Sequence, residues 1–188
     1  MIDDLYEFGS PVLLFSGGEP LMRDDILELI DYASGEGLRT VLSTNGTLLS
    51  PKITSNLVKA GIDYVGVSID GLEETNDEFR GQKGAFQKAL KGIRNCIEEE
   101  VKVGLRYTIT RYNANQLEGL IDLLREEGVD RYCFYHLDYS GRGEEMQKHD
   151  LSKDETRERV RSLFNMSLDL HERGENIEIL TVGNYVDY

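Results

Sequence analysis

The chain has few of the residues that form metal sites and disulfide frameworks. Its 188 residues include only two cysteines, Cys96 and Cys133. Their separation along the chain matches no metal-binding or redox motif. Cys96 lies in a helical stretch and Cys133 in an apolar strand, so both are predicted to be small buried hydrophobic residues. No metal-ligating or catalytic residue is therefore predicted within this sequence.

Long apolar runs and an excess of basic residues are also missing. No apolar stretch approaches the roughly 18 residues of a membrane-spanning helix, and the acidic start, Met1 to Leu5, is unlike a signal peptide. The 35 acidic residues outnumber the 21 basic ones, which gives a formal net charge of -14. Such a charge argues against contact with nucleic acid phosphates. We therefore expect a cytoplasmic protein that binds neither membrane nor nucleic acid.

Short apolar segments alternate with amphipathic ones along the whole chain. This alternation indicates βαβ units in a mostly parallel sheet, and hence the α/β class. No linker interrupts it, so one domain is the simplest count. Periodicity alone does not separate a partial barrel from an open doubly wound sheet. Strands are predicted at about 12–15, 38–42, 64–69, 101–109, 132–137 and 177–182, and helices at about 24–34, 51–59, 86–99, 116–126 and 153–173, with 138–149 irregular.

Polar and glycine-containing segments follow the first three predicted strands. They are SGGEP (16–20), STNGT (43–47) and SIDG (68–71). Ligands of parallel sheets bind at the carboxyl ends of the strands. Paired glycines allow close backbone approach, and Ser68 and Asp70 share one face of a strand, as a ribose site requires. Asn-Gly and Asp-Gly taken alone favour turns, but three such strand ends in a row indicate a site for a polar small molecule.

Four motifs occur in an order typical of one enzyme family. They are LFSGGEPLMRDD, LSTNGTLL, VGVSIDG and FRGQKGAF. Together they resemble radical S-adenosylmethionine (radical SAM) enzymes, of the subgroup with a C-terminal cluster-binding (SPASM-type) extension. The resemblance extends from Pro11 to Gly143. It implies a partial (β/α) barrel, SAM as a cofactor, and a [4Fe–4S] cluster in the full-length parent enzyme.

The resemblance implies that two parts of the sequence hold the methionine portion of SAM. Gly17, Gly18 and Glu19, in the motif that ends at Pro20, would hold its amino group. Arg80 would pair with its carboxylate, because a guanidinium fork matches two carboxylate oxygens.

Other strand ends are implied to contact the remainder of SAM. Ser68 would contact the methionine carboxylate or the ribose, and Asp70 would support the ribose pocket. Leu137 would border the adenine. Thr44 and Asn45 would line the site between SAM and substrate.

The fourth predicted strand contributes two further candidates for the cofactor site, Arg106 and Thr108. They alternate with Leu105 and Tyr107 along the strand. Since successive side chains point to opposite sides of a sheet, one of these two faces is expected to point into the barrel.

The segment FYHLDYSGRG (134–143) is the best indication of the substrate. It resembles radical SAM enzymes of modified-tetrapyrrole synthesis, which remove carboxyl-containing groups from siroheme derivatives in the alternative heme and denitrification heme pathways. His136 would touch the substrate or its iron, or else make a structural hydrogen bond. Arg142 would pair with a porphyrin carboxylate or be a loop charge. The alternatives are a peptide- or sulfatase-modifying enzyme, a molybdenum-cofactor-type cyclase, and a noncatalytic SAM-binding or interaction module.

The cluster-binding motif of the family, CxxxCxxC, precedes GGEP, yet residues 1–10 contain no cysteine. Thiolates are what hold such a cluster. The sequence therefore predicts a truncated core domain over 1–188 that has strands two to six of the family barrel, lacks the first, and is inactive alone. Its last part, about 150–188, would begin the connection to a C-terminal domain. We expect residues 1–10 to cover the exposed sheet edge, or else a homodimer to form through it.

Overall fold

The computed structural model describes residues 1–139 and 142–182, with the backbone alone for residues 142 and 143. The strands are β1 (Val12–Phe15), β2 (Arg39–Thr44), β3 (Tyr64–Ser68), β4 (Val103–Thr108), β5 (Arg131–Tyr135) and β6 (Glu178–Val182). The helices are α1 (Ile2–Glu7), α2 (Ile26–Gly35), α3 (Pro51–Lys59), α4 (Glu73–Arg80), α5 (Ala85–Glu98), α6 (Leu117–Glu126), α7 (Arg142–Met146) and α8 (Lys153–Glu172).

All six strands are parallel and follow one another in the sheet in chain order, so the predicted α/β class is confirmed. The register pairs Val12 with Arg39 and Val41 with Tyr64. The sixth strand, predicted at about 177–182, is confirmed as β6, which pairs with β5. The partial barrel and the missing first strand stay predictions.

The described residues form two compact units, and the first comprises Met1–Ser68 and Gly84–Gly104. Strand β3 is buried from Tyr64 to Val67, whereas the buried positions of β2 are Thr40, Leu42 and Thr44. Helix α3 begins at Pro51 after Ser50, whose side chain accepts a hydrogen bond from the Ile53 N–H. The core of this unit includes Ile30, Leu42, Leu57, Val65, Val67 and Ile93.

The second unit comprises Ile69–Lys83 and Leu105–Tyr188, of which the structure describes the residues given above. Helix α8 begins with a capping box: the Ser152 hydroxyl accepts from the Glu155 N–H, and the Glu155 carboxylate accepts from the Ser152 N–H. Tyr107 and Phe134 pack edge to face in the core, with ring centroids 5.8 Å apart. Other fully buried side chains are Leu105, Leu117, Leu120, Ile121 and Tyr132.

Two local predictions need correction. The segment 138–149, predicted to be irregular, contains the short helix α7 and a 3-10 turn, Gln147–His149. Residues 1–10, for which no helix was predicted, contain α1. No helix in the described part of the chain is both long and apolar enough to cross a membrane.

Helix α1 packs against one face of the first unit's sheet. Its Ile2 is buried in a cluster with Ala33 and Leu38, and the cluster also includes Leu13 and Phe15 from the same face of β1. The other face of β1 stays open, with Val12 and Leu14 exposed. The first ten residues thus cover a face of β1, which is the terminal strand of the sheet.

Candidate functional site

The turn after β1 fixes the position of one carboxylate. Gly17 has a φ of 143°, which favours glycine over other residues. Pro20 is buried and begins a single 3-10 turn, Pro20–Met22. The Glu19 side chain accepts a hydrogen bond from the Leu21 N–H at 3.1 Å. The turn therefore directs Glu19 toward the next strand end, and Gly18 has open space beside its Cα.

The end of β2 completes the surroundings of Glu19. The Thr44 hydroxyl donates to Glu19 Oε1 at 2.7 Å, and the Asn45 N–H donates to Oε2 at 2.8 Å. An ionised carboxylate offers about four lone-pair positions, so three protein donors leave it able to accept one more hydrogen bond. The structure thus joins the two predicted motifs through Glu19 and leaves acceptor capacity for an ammonium group.

Asn45 itself forms a local turn. Its Oδ1 accepts from both the N–H and the hydroxyl of Thr47, at 2.9 and 2.7 Å. The turn is completed by Gly46, whose φ is 75°. Asn45 presents its backbone N–H to Glu19 and uses its side-chain oxygen within the turn.

In the second unit, Asp70 is the centre of a buried polar network. Its side chain is only 2% exposed and pairs with Arg80, whose side chain is 29% exposed. Its other oxygen accepts from the Thr108 N–H at 2.9 Å. Burial raises the pKa of the Asp70 carboxyl above its ordinary value, while Arg80 and the Thr108 N–H act in the opposite direction. Ser68, at the end of β3, is half-buried and belongs to the first unit.

Two asparagines that the sequence reasoning missed hold Asp70 in place. Asn76 accepts from the Asp70 N–H at 2.9 Å, and Asn113 donates to the Asp70 carbonyl at 3.1 Å and to the Thr108 carbonyl at 2.9 Å. Both asparagine residues are almost fully buried. Nothing in the sequence separates Asn113 from the neighbouring Asn115, so this network becomes visible only in the folded chain.

The two candidates on β4 lie on the half-buried face of that strand. Leu105 and Tyr107 are fully buried, whereas Arg106 and Thr108 are partly exposed. The Arg106 guanidinium carbon lies 4.5 Å from the centroid of the Tyr135 ring on β5, within the range of a cation–π interaction.

A cavity of about 640 Å³ lies at the carboxyl ends of β5 and β6. Two predicted residues, His136 and Leu137, line it. The other lining residues are Tyr135, Asp138, Tyr139, Asp150, Leu151, Lys153, Thr156 and Val182. Its volume is in the range of small-molecule pockets. The backbone of Arg142 belongs to α7, but its side chain lies outside the described residues.

The described residues do not provide a ligand set for an iron–sulfur cluster. No three His, Cys, Asp or Glu side chains in this part of the chain are grouped to hold a metal ion. Cys96 and Cys133 are both buried, as predicted, and burial raises the pKa of the Cys96 thiol to about 12. A neutral buried thiol does not act as a thiolate ligand, so Cys96 is not suited to hold a cluster.

Solved structures share this fold. Streptococcus suis SuiB bound to S-adenosylmethionine superimposes with a TM-score of 0.82 at 20% identity, over 98% of this chain and 42% of SuiB. A native anSMEcpe with bound AdoMet and a Kp18Cys peptide superimposes with a TM-score of 0.77 at 18% identity, over 95% of this chain and 53% of the anSMEcpe chain. At such identities the likeness concerns the fold alone.

Sequence relatives are considerably closer. An Fe-coproporphyrin III synthase of Methanosarcina barkeri is 53% identical over 187 residues, which are 100% of this chain and 47% of that protein. A pre-heme d1 synthase of Dinoroseobacter shibae is 42% identical over 99% of this chain and 46% of its own length. The chain thus spans about half the length of these relatives. The Radical SAM superfamily model matches residues 1–124, and the chain belongs to the radical SAM superfamily.

Proposed function

We propose that this chain is the SAM-binding part of a radical SAM enzyme that acts on a carboxyl-bearing side chain of an iron tetrapyrrole. The substrate class follows from the relatives, which are named for the synthesis of Fe-coproporphyrin III and pre-heme d1. SAM supplies the adenosyl group for the radical chemistry typical of this superfamily. The residues described below bind and orient it.

The Glu19 carboxylate is the observation that best supports SAM binding. It is fixed by three hydrogen bonds and keeps acceptor capacity. An ammonium group such as the amino group of SAM is a donor that such a carboxylate binds well, since hydrogen bonds between charged groups are the strong ones. Gly17 and Gly18 keep side chains away from this turn.

Asp70 and Arg80 take different parts in this proposal. Asp70 supports the ribose pocket, and Ser68 contacts the methionine carboxylate or the ribose. Arg80 is already paired with Asp70, so its contact with the SAM carboxylate would use the donors that the pair leaves available, which a guanidinium with five N–H groups permits. Leu137 borders the adenine.

Calorimetric titration of SAM into the purified chain tests the proposal. Glu19→Ala should raise the Kd for SAM at least tenfold, because it removes a charged hydrogen bond worth about 1.5–3 kcal/mol. Glu28→Ala is the matched control, since it removes an exposed carboxylate from α2 and should leave the Kd unchanged. Circular dichroism of both variants reports whether the fold is kept. An equal SAM affinity in wild type and Glu19→Ala would contradict the assignment of Glu19.

A further inference from the structure

Arg106 carries a positive charge that the fold does not neutralise. It is half-buried on β4, and within the described ranges 1–139 and 142–182 no carboxylate pairs with it. Two other arginines of the same unit have carboxylate partners: Arg80 pairs with Asp70 and Arg125 with Glu175. In a chain with a net charge of -14, a partly desolvated guanidinium without a carboxylate is suited to bind an anion.

The Arg106 side chain is held in place by an aromatic ring. Its guanidinium carbon lies 4.5 Å from the ring centroid of Tyr135 on the adjacent strand β5. Stacking on the ring uses the face of the guanidinium and leaves the N–H groups at its edge available, which are the ones that bind a carboxylate fork to fork. Tyr135 thus orients Arg106 without competing for its hydrogen bonds.

Tyr135 also connects Arg106 to the cavity at the ends of β5 and β6. Its side chain is one of those that line this space of about 640 Å³, together with His136 and Leu137. Half of the lining residues are aromatic or aliphatic and accommodate an apolar ring system. The other half are polar, and Asp138 and Asp150 among them repel a carboxylate. An apolar ligand with acidic side chains therefore suits the apolar part of this lining and needs a cation such as Arg106, which stacks on Tyr135, for its carboxylates.

We propose that Arg106, oriented by Tyr135, binds a carboxylate of the tetrapyrrole substrate, and that it is not part of the SAM site. This inference rests on the proposed function and assigns a residue to its substrate. Because the whole chain is strongly negative, a polycarboxylate ligand is repelled at long range, and a local cation is needed to hold it. Arg106 then favours tetrapyrroles that have a carboxylate over those that do not.

The test is absorbance titration of iron coproporphyrin III, which has four carboxylates, into the full chain. The comparison ligand is the iron complex of coproporphyrin tetraamide, which keeps the ring and removes the charges. Arg106→Gln should weaken binding of the tetracarboxylate about tenfold, as the loss of one charged hydrogen-bonded pair implies, and should leave tetraamide binding unchanged. Arg106→Lys should give an intermediate affinity, because it restores the charge but not the planar fork.

Two further variants separate the carboxylate contact from a change of fold or of total charge. Arg161→Gln removes one positive charge from an exposed position on α8 and should change neither affinity. Tyr135→Phe keeps the ring against Arg106 and should bind the tetracarboxylate like wild type. Tyr135→Leu removes the ring and should weaken tetracarboxylate binding, as Arg106→Gln does.

Several outcomes would overturn the inference. They are unchanged tetracarboxylate binding by Arg106→Gln, an equal loss of both porphyrins, a loss of SAM affinity alone, and no porphyrin binding by the wild-type chain. SAM titration of the same samples keeps the two proposals apart. Selective loss of the tetracarboxylate in a chain that does not bind SAM would support the role of Arg106 and contradict the proposed SAM binding.

Discussion

Asp70 is a carboxylate placed where ionisation is costly, and its neighbours offset that cost. Desolvation raises its pKa, while the Arg80 guanidinium and the Thr108 N–H favour the charged form. A buried ion pair adds little when it is compared with apolar residues of the same size, but removing one partner leaves the other uncompensated. The pair therefore fixes the geometry of the segment after β3 more than it raises stability.

Asp70→Asn should lower the free energy of unfolding at neutral pH by on the order of 3 kcal/mol, because Arg80 loses its partner while the shape of the side chain is kept. Urea denaturation followed by circular dichroism measures it. The double variant Asp70→Asn with Arg80→Gln removes both charges and should recover part of the loss. If the double variant is no more stable than the single one, the ion pair is not the cause of the destabilisation.

The roles of Glu19 in the first unit and of Asp70 in the second could be predicted from the sequence only in part. The motifs identified Glu19 and Asp70 as residues at strand ends, but not their partners. That Arg80 pairs with Asp70 depends on the turn of helix α4 between them. Asn76 and Asn113 act through backbone groups that only the folded chain brings within reach. The local sequence pattern does not predict hydrogen bonds between such separated residues.

At the scale of elements, helix α5 and the turn after β2 approach each other closely in the first unit. A Cβ added at Gly92 of α5 would lie 2.5 Å from the Gly46 carbonyl oxygen and 2.9 Å from the Leu49 Cβ. A Cβ at Gly46 would lie 2.7 Å from a methyl group of Val67 and 3.2 Å from the Ala89 Cα. The turn after β2 presents the Asn45 N–H to Glu19. Because Gly46 and Gly92 have no side chains, this turn packs directly against helix α5.

Gly92→Ala should therefore destabilise the protein although alanine is the better helix former. The new Cβ meets backbone, which cannot move aside, and overpacking of this kind costs about 1–3 kcal/mol. Thermal unfolding by circular dichroism provides the measurement. Gly35→Ala in helix α2 is the control, because nothing lies within 4 Å of its added Cβ; it should leave stability unchanged or raise it by up to about 1 kcal/mol. A Gly92→Ala variant as stable as Gly35→Ala would show that α5 can shift freely.

Elements were predictable where periodicity and caps agreed. The β1 bounds and the α3 bounds match the prediction, since apolar runs end at glycine or at Ser50-Pro51. The short helices α1 and α7 were missed, because five or six residues carry too little periodicity to identify a helix. Strand β6 was predicted at about 177–182, but its position beside β5 depends on tertiary pairing.

At the scale of the whole molecule, β1 is the terminal strand of the sheet, so within the described residues one of its edges has no neighbouring strand, and one of its faces is open and apolar. Val12 is 41% exposed and Leu14 is 44% exposed. Such an edge is a site where a second chain can add. The net charge of -14 acts against this, because two copies repel each other, and salt screens that repulsion over a Debye length of about 10 Å at 0.1 M. Self-association is therefore expected to depend on ionic strength.

We expect sedimentation velocity to detect a dimer whose dissociation constant falls as sodium chloride is raised. Leu14→Lys places a charge on the open face of β1 and should abolish the dimer at every salt concentration. Met22→Lys makes the same change of charge at a side chain that is 77% exposed and lies outside β1, so it should dimerise like wild type or slightly better. Equal loss in both variants would mean that association does not use β1, and a monomer at all salt concentrations would contradict the predicted dimer.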